Sequence, residues 1–163
     1  MSQAGAPLCA ICGEEKRDGQ VWFLILGCGW EDKLRILQWH DKLSTCDGVY
    51  RLCCPAHVQE LVVHWMTTGS LDYPFAQVLS GSRRRVTSTS CVPTVQAVVD
   101  TRHARQIGEL AVHRESLRRA LSEDPESLQV ILSELFAALE KEVINGAAEI
   151  ASRDALLLTV RPA

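Results

Sequence analysis

The stretch Tyr50-Arg-Leu-Cys-Cys-Pro-Ala-His-Val-Gln-Glu-Leu-Val-Val-His-Trp65 decides how this chain is read. Its first residues are extended in type. Pro55 suits the first position of a helix, where its missing N–H would have no partner anyway. Cys54 then takes the N-cap, where free backbone N–H groups and the positive end of the helix dipole favour a thiolate. His57 follows one turn along, so the two side chains can converge on one point. Val58, Leu61, Val62 and Trp65 recur at i, i+3, i+4 and i+7, the buried stripe of a helix running from Pro55 to about Met66. Gly69 is suited to cap its C-terminus.

Upstream, Cys9-Ala-Ile-Cys12-Gly13 places two thiols three positions apart, followed by a glycine that permits a tight turn. Zinc takes sulfur and nitrogen ligands in a closed tetrahedron when its role is structural. Cys9, Cys12, Cys54 and His57 form such a set, with Cys53 as the alternative to Cys54 and the Cys54-x-x-His57 spacing favouring the latter. A redox Cys-x-x-Cys fits less well, because Cys9–Cys12 opens no helix of a βαβ unit. Plain packing of small buried thiols is the bland alternative. Cys28, Cys46 and Cys91 read as packing or exposed thiols, His64 as a surface histidine and His40 as structural.

Between the two ligand pairs, Val21-Trp-Phe-Leu-Ile-Leu26, Leu34-Arg-Ile-Leu-Gln-Trp39 and Val49-Tyr-Arg-Leu52 read as short strands joined by polar connections. A unit of about 70 residues with so thin a sheet seldom draws more than about 3–5 kcal/mol from its core. A structural zinc contributes on the order of 10–16 kcal/mol of apparent binding energy coupled to folding. The metal is therefore expected to matter to this half.

The order of these parts, a knuckle with two ligands, a β-hairpin and a helix whose first turn carries the others, resembles a treble-clef zinc finger over about residues 7–68. That resemblance implies a metal that holds the fold and a binding function that varies among members. The segments Gly29-Trp-Glu-Asp-Lys-Leu-Arg-Ile-Leu-Gln-Trp-His40 and His57-Val-Gln-Glu-Leu-Val-Val-His-Trp65 also resemble those of a bacterial protein family, a likeness that implies no particular activity.

The remainder of the chain reads as helical. Ser80-Gly-Ser-Arg-Arg-Arg-Val-Thr-Ser-Thr-Ser90 is polar and reads as a linker. A first helix is expected over at least Thr101–Leu121, with Ile107, Leu110, Ala111, Leu117 and Leu121 on one side. Arg105–Glu109 and Glu115–Arg119 would be paired four apart on its solvated face. Asp124-Pro125 marks a restart, an N-cap followed by proline at the first helical position. The second helix is expected from Pro125 to about Val143, burying Leu128, Ile131, Leu132, Leu135, Leu139 and Val143. Asn145-Gly146 would end it, leaving Ala155–Val160 as a terminal strand or tail. Two helices cannot enclose both stripes alone, so a second copy or the zinc-binding half should cover them.

Composition narrows the function. The 17 basic and 20 acidic side chains give a net charge of −3, without the basic excess of a dedicated nucleic-acid binder. No apolar run approaches the roughly 20 residues a membrane helix needs. The first residues lack the parts of a secretory signal. A reducing, cytoplasmic setting is expected, in which seven cysteines point to metal or redox use rather than a disulfide framework. Catalytic signatures are missing too. The His-x-Glu with Pro-Cys-x-x-Cys of zinc deaminases is absent, as are a phosphate loop and a Gly-x-Ser-x-Gly elbow. His113 and Ser116 share a helix face but have no carboxylate partner.

The expectation is thus an α+β chain. A zinc-binding domain at 1–69 is treble-clef-like, a small sheet plus helix. A linker spans 70–92 and a helical hairpin region 93–163. The function expected is a non-enzymatic zinc module that contacts a protein partner or a second copy through its C-terminal helices. The alternative is a nucleic-acid-binding regulator using the finger and Arg83–Arg85.

Overall fold

A computed structural model describes residues 6–28, 32–73 and 104–159. Four antiparallel strands form one sheet in the order β3-β1-β2-β4: β1 Phe23–Cys28, β2 Lys33–Gln38, β3 Val49–Leu52 and β4 Gln106–Ala111. The helices among the described residues are α1 Asp41–Ser44, α2 Pro55–Thr68, α3 Arg114–Glu123 and α4 Pro125–Thr159.

The run Phe23-Leu-Ile25 is fully buried because the sheet is covered on both sides. Phe23 and Ile25, with Leu34, Ile36 and Leu52, face the main core beneath α2 and α4. Leu24 and Leu37, opposite each other in register, face the other way and meet Leu43 of α1. The period of two therefore sorts an unbroken apolar run into two layers. Trp22 and Trp39 pack edge to face, with ring centroids 5.9 Å apart.

The α2 helix matches its sequence pattern. Pro55 opens it, Val58, Leu61, Val62 and Trp65 are buried, and Gly69 caps it in the left-handed region at φ 78°.

The C-terminal half departs from expectation. Gln106–Ala111, expected in a helix, is instead a strand paired with β2 in the register Leu34↔Leu110 and Ile36↔Gly108. The edge of β2 needs partners for its backbone groups, and β4 supplies them. Arg105 and Glu109, expected to pair along a helix, go separate ways. Glu109 meets Arg35 across the strands at 3.1 Å, and Arg105 meets Glu142 of α4 at 3.1 Å.

The restart at Asp124-Pro125 holds, but α4 runs on through Asn145-Gly146 to Thr159. Gly146 is not a cap. A Cβ there would stand 2.8 Å from Val21 Cγ2, so glycine serves the close approach of α4 to the chain entering β1. Leu128, Leu132, Leu135 and Leu139 are buried as expected, whereas Ile131 is 45% exposed and Leu121 40%. Of the two covers expected for the stripes, the zinc-binding half supplies most, since they lie largely against the sheet. One core draws on residues from Cys9 to Leu139. Most of the expected linker lies outside the described residues.

Candidate metal centre

The knuckle is built by its own backbone. Cys9 N–H donates to the Glu14 carbonyl at 2.9 Å, and Gly13 N–H to the Cys9 carbonyl at 2.9 Å, with Gly13 at φ 73° closing the turn. A bridge between Leu8 and Glu15 and a bond from Lys16 N–H to Pro7 O complete the small loop. Ala10 N–H then donates to Arg51 O at 2.8 Å, which docks the knuckle against β3 just before α2.

This docking brings Cys9, Cys12, Cys53 and His57 together, with one ligand atom from each lying within 4.8 Å of the others. Cys12 Sγ is 3.8 Å from Cys53 Sγ. His57 Nδ1 is 3.7 Å from Cys9 Sγ and 3.0 Å from Cys53 Sγ. A tetrahedral zinc with sulfur at about 2.3 Å and nitrogen at about 2.0 Å implies ligand edges of about 3.8 Å between sulfurs and about 3.5 Å from sulfur to nitrogen. Two of the three separations match these edges, and the Cys53–His57 pair must open by about half an ångström.

The group uses Cys53 where the Cys-x-x-His spacing favours Cys54. Cys54 sits at the N-cap of α2 in extended backbone (φ −156°, ψ 162°) and makes no side-chain cap bond. The Cys54 sulfur does not join the group. Cys53 and His57, four apart across the helix start, do.

The crowded sulfurs disfavour charge by themselves. Burial pushes the Cys53 thiol far above its ordinary range, and the adjacent Cys9 sulfur raises it further. Partial desolvation raises Cys12 as well, with Cys9 again contributing. Crowded sulfurs resist ionising beside one another, whereas a bound dication would hold all three as thiolates. Cys9 is buried, Cys53 and His57 are half-buried and Cys12 is exposed, so the group opens to solvent on the Cys12 side.

Other residues considered from sequence have separate roles. The Cys46 thiol donates to Lys42 O at 3.3 Å. His64 Nε2 lies 3.0 Å from Asp72 O, with its ring edge-on to Tyr73. His113 is the N-cap of α3, its ring accepting from Ser116 N–H at 3.3 Å, so this pair shapes a helix end. Cys91 and Arg83–Arg85 lie outside the described residues. Among the described residues no helix is long and apolar enough to cross a membrane.

Comparison with protein-family models, with curated proteins and with solved structures finds no match.

Proposed function

We propose that Cys9, Cys12, Cys53 and His57 hold one structural zinc ion in a treble-clef-like arrangement, and that the chain is a non-enzymatic module whose helices contact a protein surface. The convergence of the four ligand atoms within 4.8 Å carries this reading. Three sulfurs and one nitrogen form a closed donor set that suits zinc and leaves no open position for a substrate. The metal joins the knuckle to the start of α2, two segments about forty residues apart in sequence, and thereby fixes how the chain enters the sheet.

Metal analysis of purified protein tests the assignment. Wild type is expected to carry about one zinc per chain. Cys53→Ser and His57→Ala should lose it, and Cys54→Ser should keep it. Loss in Cys54→Ser with retention in Cys53→Ser would replace the assigned ligand, and metal-free wild type would end the reading.

The contact surface proposed is the outer side of α4, with a second copy of the chain as its occupant. Val130 and Ile144 are 63% and 68% exposed. With the exposed Ala137 they recur every seven residues, close to one line along the helix. In an antiparallel pair centred between Glu140 and Lys141, each glutamate would face the other copy's lysine, which supports a self-complementary contact.

A further inference from the structure

We propose that Cys12 and Cys53 are an oxidative modification site, in which a hydroperoxide joins the two sulfurs in a disulfide and expels the metal. The inference rests on the zinc reading above. Its starting point is a difference among the three sulfurs. Cys9 is 2% exposed and sealed in the core, whereas Cys12 is exposed and its Sγ lies 3.8 Å from that of the half-buried Cys53. The pair that meets solvent is therefore not the Cys9-x-x-Cys12 pair of the sequence, but one that bridges the knuckle and the helix start. Oxidation is selective for sulfur that is both thiolate in character and accessible. Zinc supplies the first property, and position on the open side supplies the second to Cys12.

The chemistry balances with a hydroperoxide as the two-electron oxidant. The Cys12 thiolate attacks the peroxide oxygen. An S–O bond forms, the O–O bond breaks, and hydroxide (or alkoxide) leaves with the electron pair. The Cys53 thiolate then attacks the Cys12 sulfenic sulfur, forming the S–S bond and releasing hydroxide. Each leaving oxygen takes a proton from water. Two thiolates have been oxidised and one peroxide reduced. Only Cys9 and His57, half of the closed set, would then remain to hold a zinc ion, too few to retain it.

The disulfide ties together the same two segments as the metal, at a sequence separation of 41 residues. A covalent link across a loop of that size restricts the unfolded chain, so the oxidised, metal-free form should keep part of the stability that zinc conferred. Reduction followed by metal should restore the original state. Cys54 lies at the same helix start but outside the group, and Cys46 is engaged with Lys42 O, so neither competes.

The test uses the full chain, purified with zinc under reducing conditions and treated with hydrogen peroxide. Released zinc is read with a chromophoric chelator, and disulfides are mapped by alkylation, digestion and mass spectrometry. Zinc release should match the appearance of a Cys12–Cys53 linked peptide one for one. Cys54→Ser should behave as wild type, and thiol plus zinc should reverse both signals. Retention of zinc under excess peroxide would overturn the proposal, as would a linked peptide joining Cys9 to Cys12 or Cys53 to Cys54. Should the chain carry no zinc as purified, the metal reading fails by itself. The peptide map of the oxidised metal-free chain then decides the pairing separately, with Cys12–Cys53 supporting it and any other link overturning it.

Discussion

The guanidinium of Arg114 lies 4.7 Å over the ring of Trp65, and its Nη1 donates to the Trp65 carbonyl at 3.0 Å. Its Nε meets Asp32 Oδ1 at 2.9 Å. One side chain from the start of α3 thus closes the C-terminal end of α2, where free carbonyls and the negative end of the helix dipole favour a cation. It also reaches the residue that leads into β2.

Arg114→Ala should therefore lower unfolding stability by about 2–4 kcal/mol, the sum for a charge-assisted hydrogen bond and a cation–π contact. Arg114→Lys should recover only part of this, because a point charge cannot stack on Trp65 and fork to two acceptors at once. Chemical denaturation followed by tryptophan fluorescence measures both. A loss below half a kilocalorie per mole for Arg114→Ala would show that this contact does not hold α2.

Gly146 offers a case in which two effects oppose. Alanine in a helix interior is favoured over glycine by about 1 kcal/mol. Here its Cβ would stand 2.8 Å from Val21 Cγ2, and the β-branched Val21 has little room to turn aside. Overpacking costs about 1–3 kcal/mol, so Gly146→Ala should be neutral to destabilising. Adding Val21→Ala should relieve the clash, and a double-mutant cycle should show a favourable coupling of about 1 kcal/mol. Clear stabilisation by Gly146→Ala alone would contradict the packing.

The outer and inner sides of α4 should respond differently to charge. Leu135 faces the core, so Leu135→Asp should unfold the chain rather than act on assembly. Ile144 is 68% exposed, so Ile144→Asp should leave thermal stability within about 0.5 kcal/mol of wild type while weakening self-association. Sedimentation at rising concentration, with thermal melts alongside, separates the two. A monomeric wild type at the highest concentration would remove the proposed contact.

These contrasts also mark what the sequence could carry. The start of α2, its buried stripe and its glycine cap were legible because proline, glycine and a 3.6-residue period act locally. The meeting of Cys9, Cys12 and His57 was legible by spacing. The choice between Cys53 and Cys54 was not, because which sulfur lies near Cys9 and Cys12 depends on how the knuckle docks on distant chain, as in the bond from Ala10 to Arg51. β4 was hidden for a related reason. Ile107, Leu110 and Ala111 recur with helical spacing, and Arg105 and Glu109 mimic a helical ion pair. The demand that makes them a strand comes from the open edge of β2. Gly108 within that stretch was the one local sign against a helix. Gly146 misled in the opposite direction, since a glycine needed for close packing looks the same in sequence as one that ends a helix.

The pH dependence of stability should reverse when metal is removed. In the metal-free chain, burial keeps the Cys53 thiol protonated well beyond the ordinary thiol value of about 8.5. The unfolded chain releases that proton first, so metal-free stability is retained below about pH 8.5 and falls as pH rises above it. With zinc bound, the sulfurs are held as thiolates and the unfolded, metal-free chain binds more protons. Stability of the loaded protein therefore rises with pH up to the same region. The gap in melting temperature between zinc-loaded and chelator-treated protein should accordingly widen steadily from about pH 6 to about pH 9, with protons released on metal uptake. Melts across that range, with proton release read in a weakly buffered dye solution, check both signs. A gap that narrows towards alkaline pH would exclude thiolate ligation at this site.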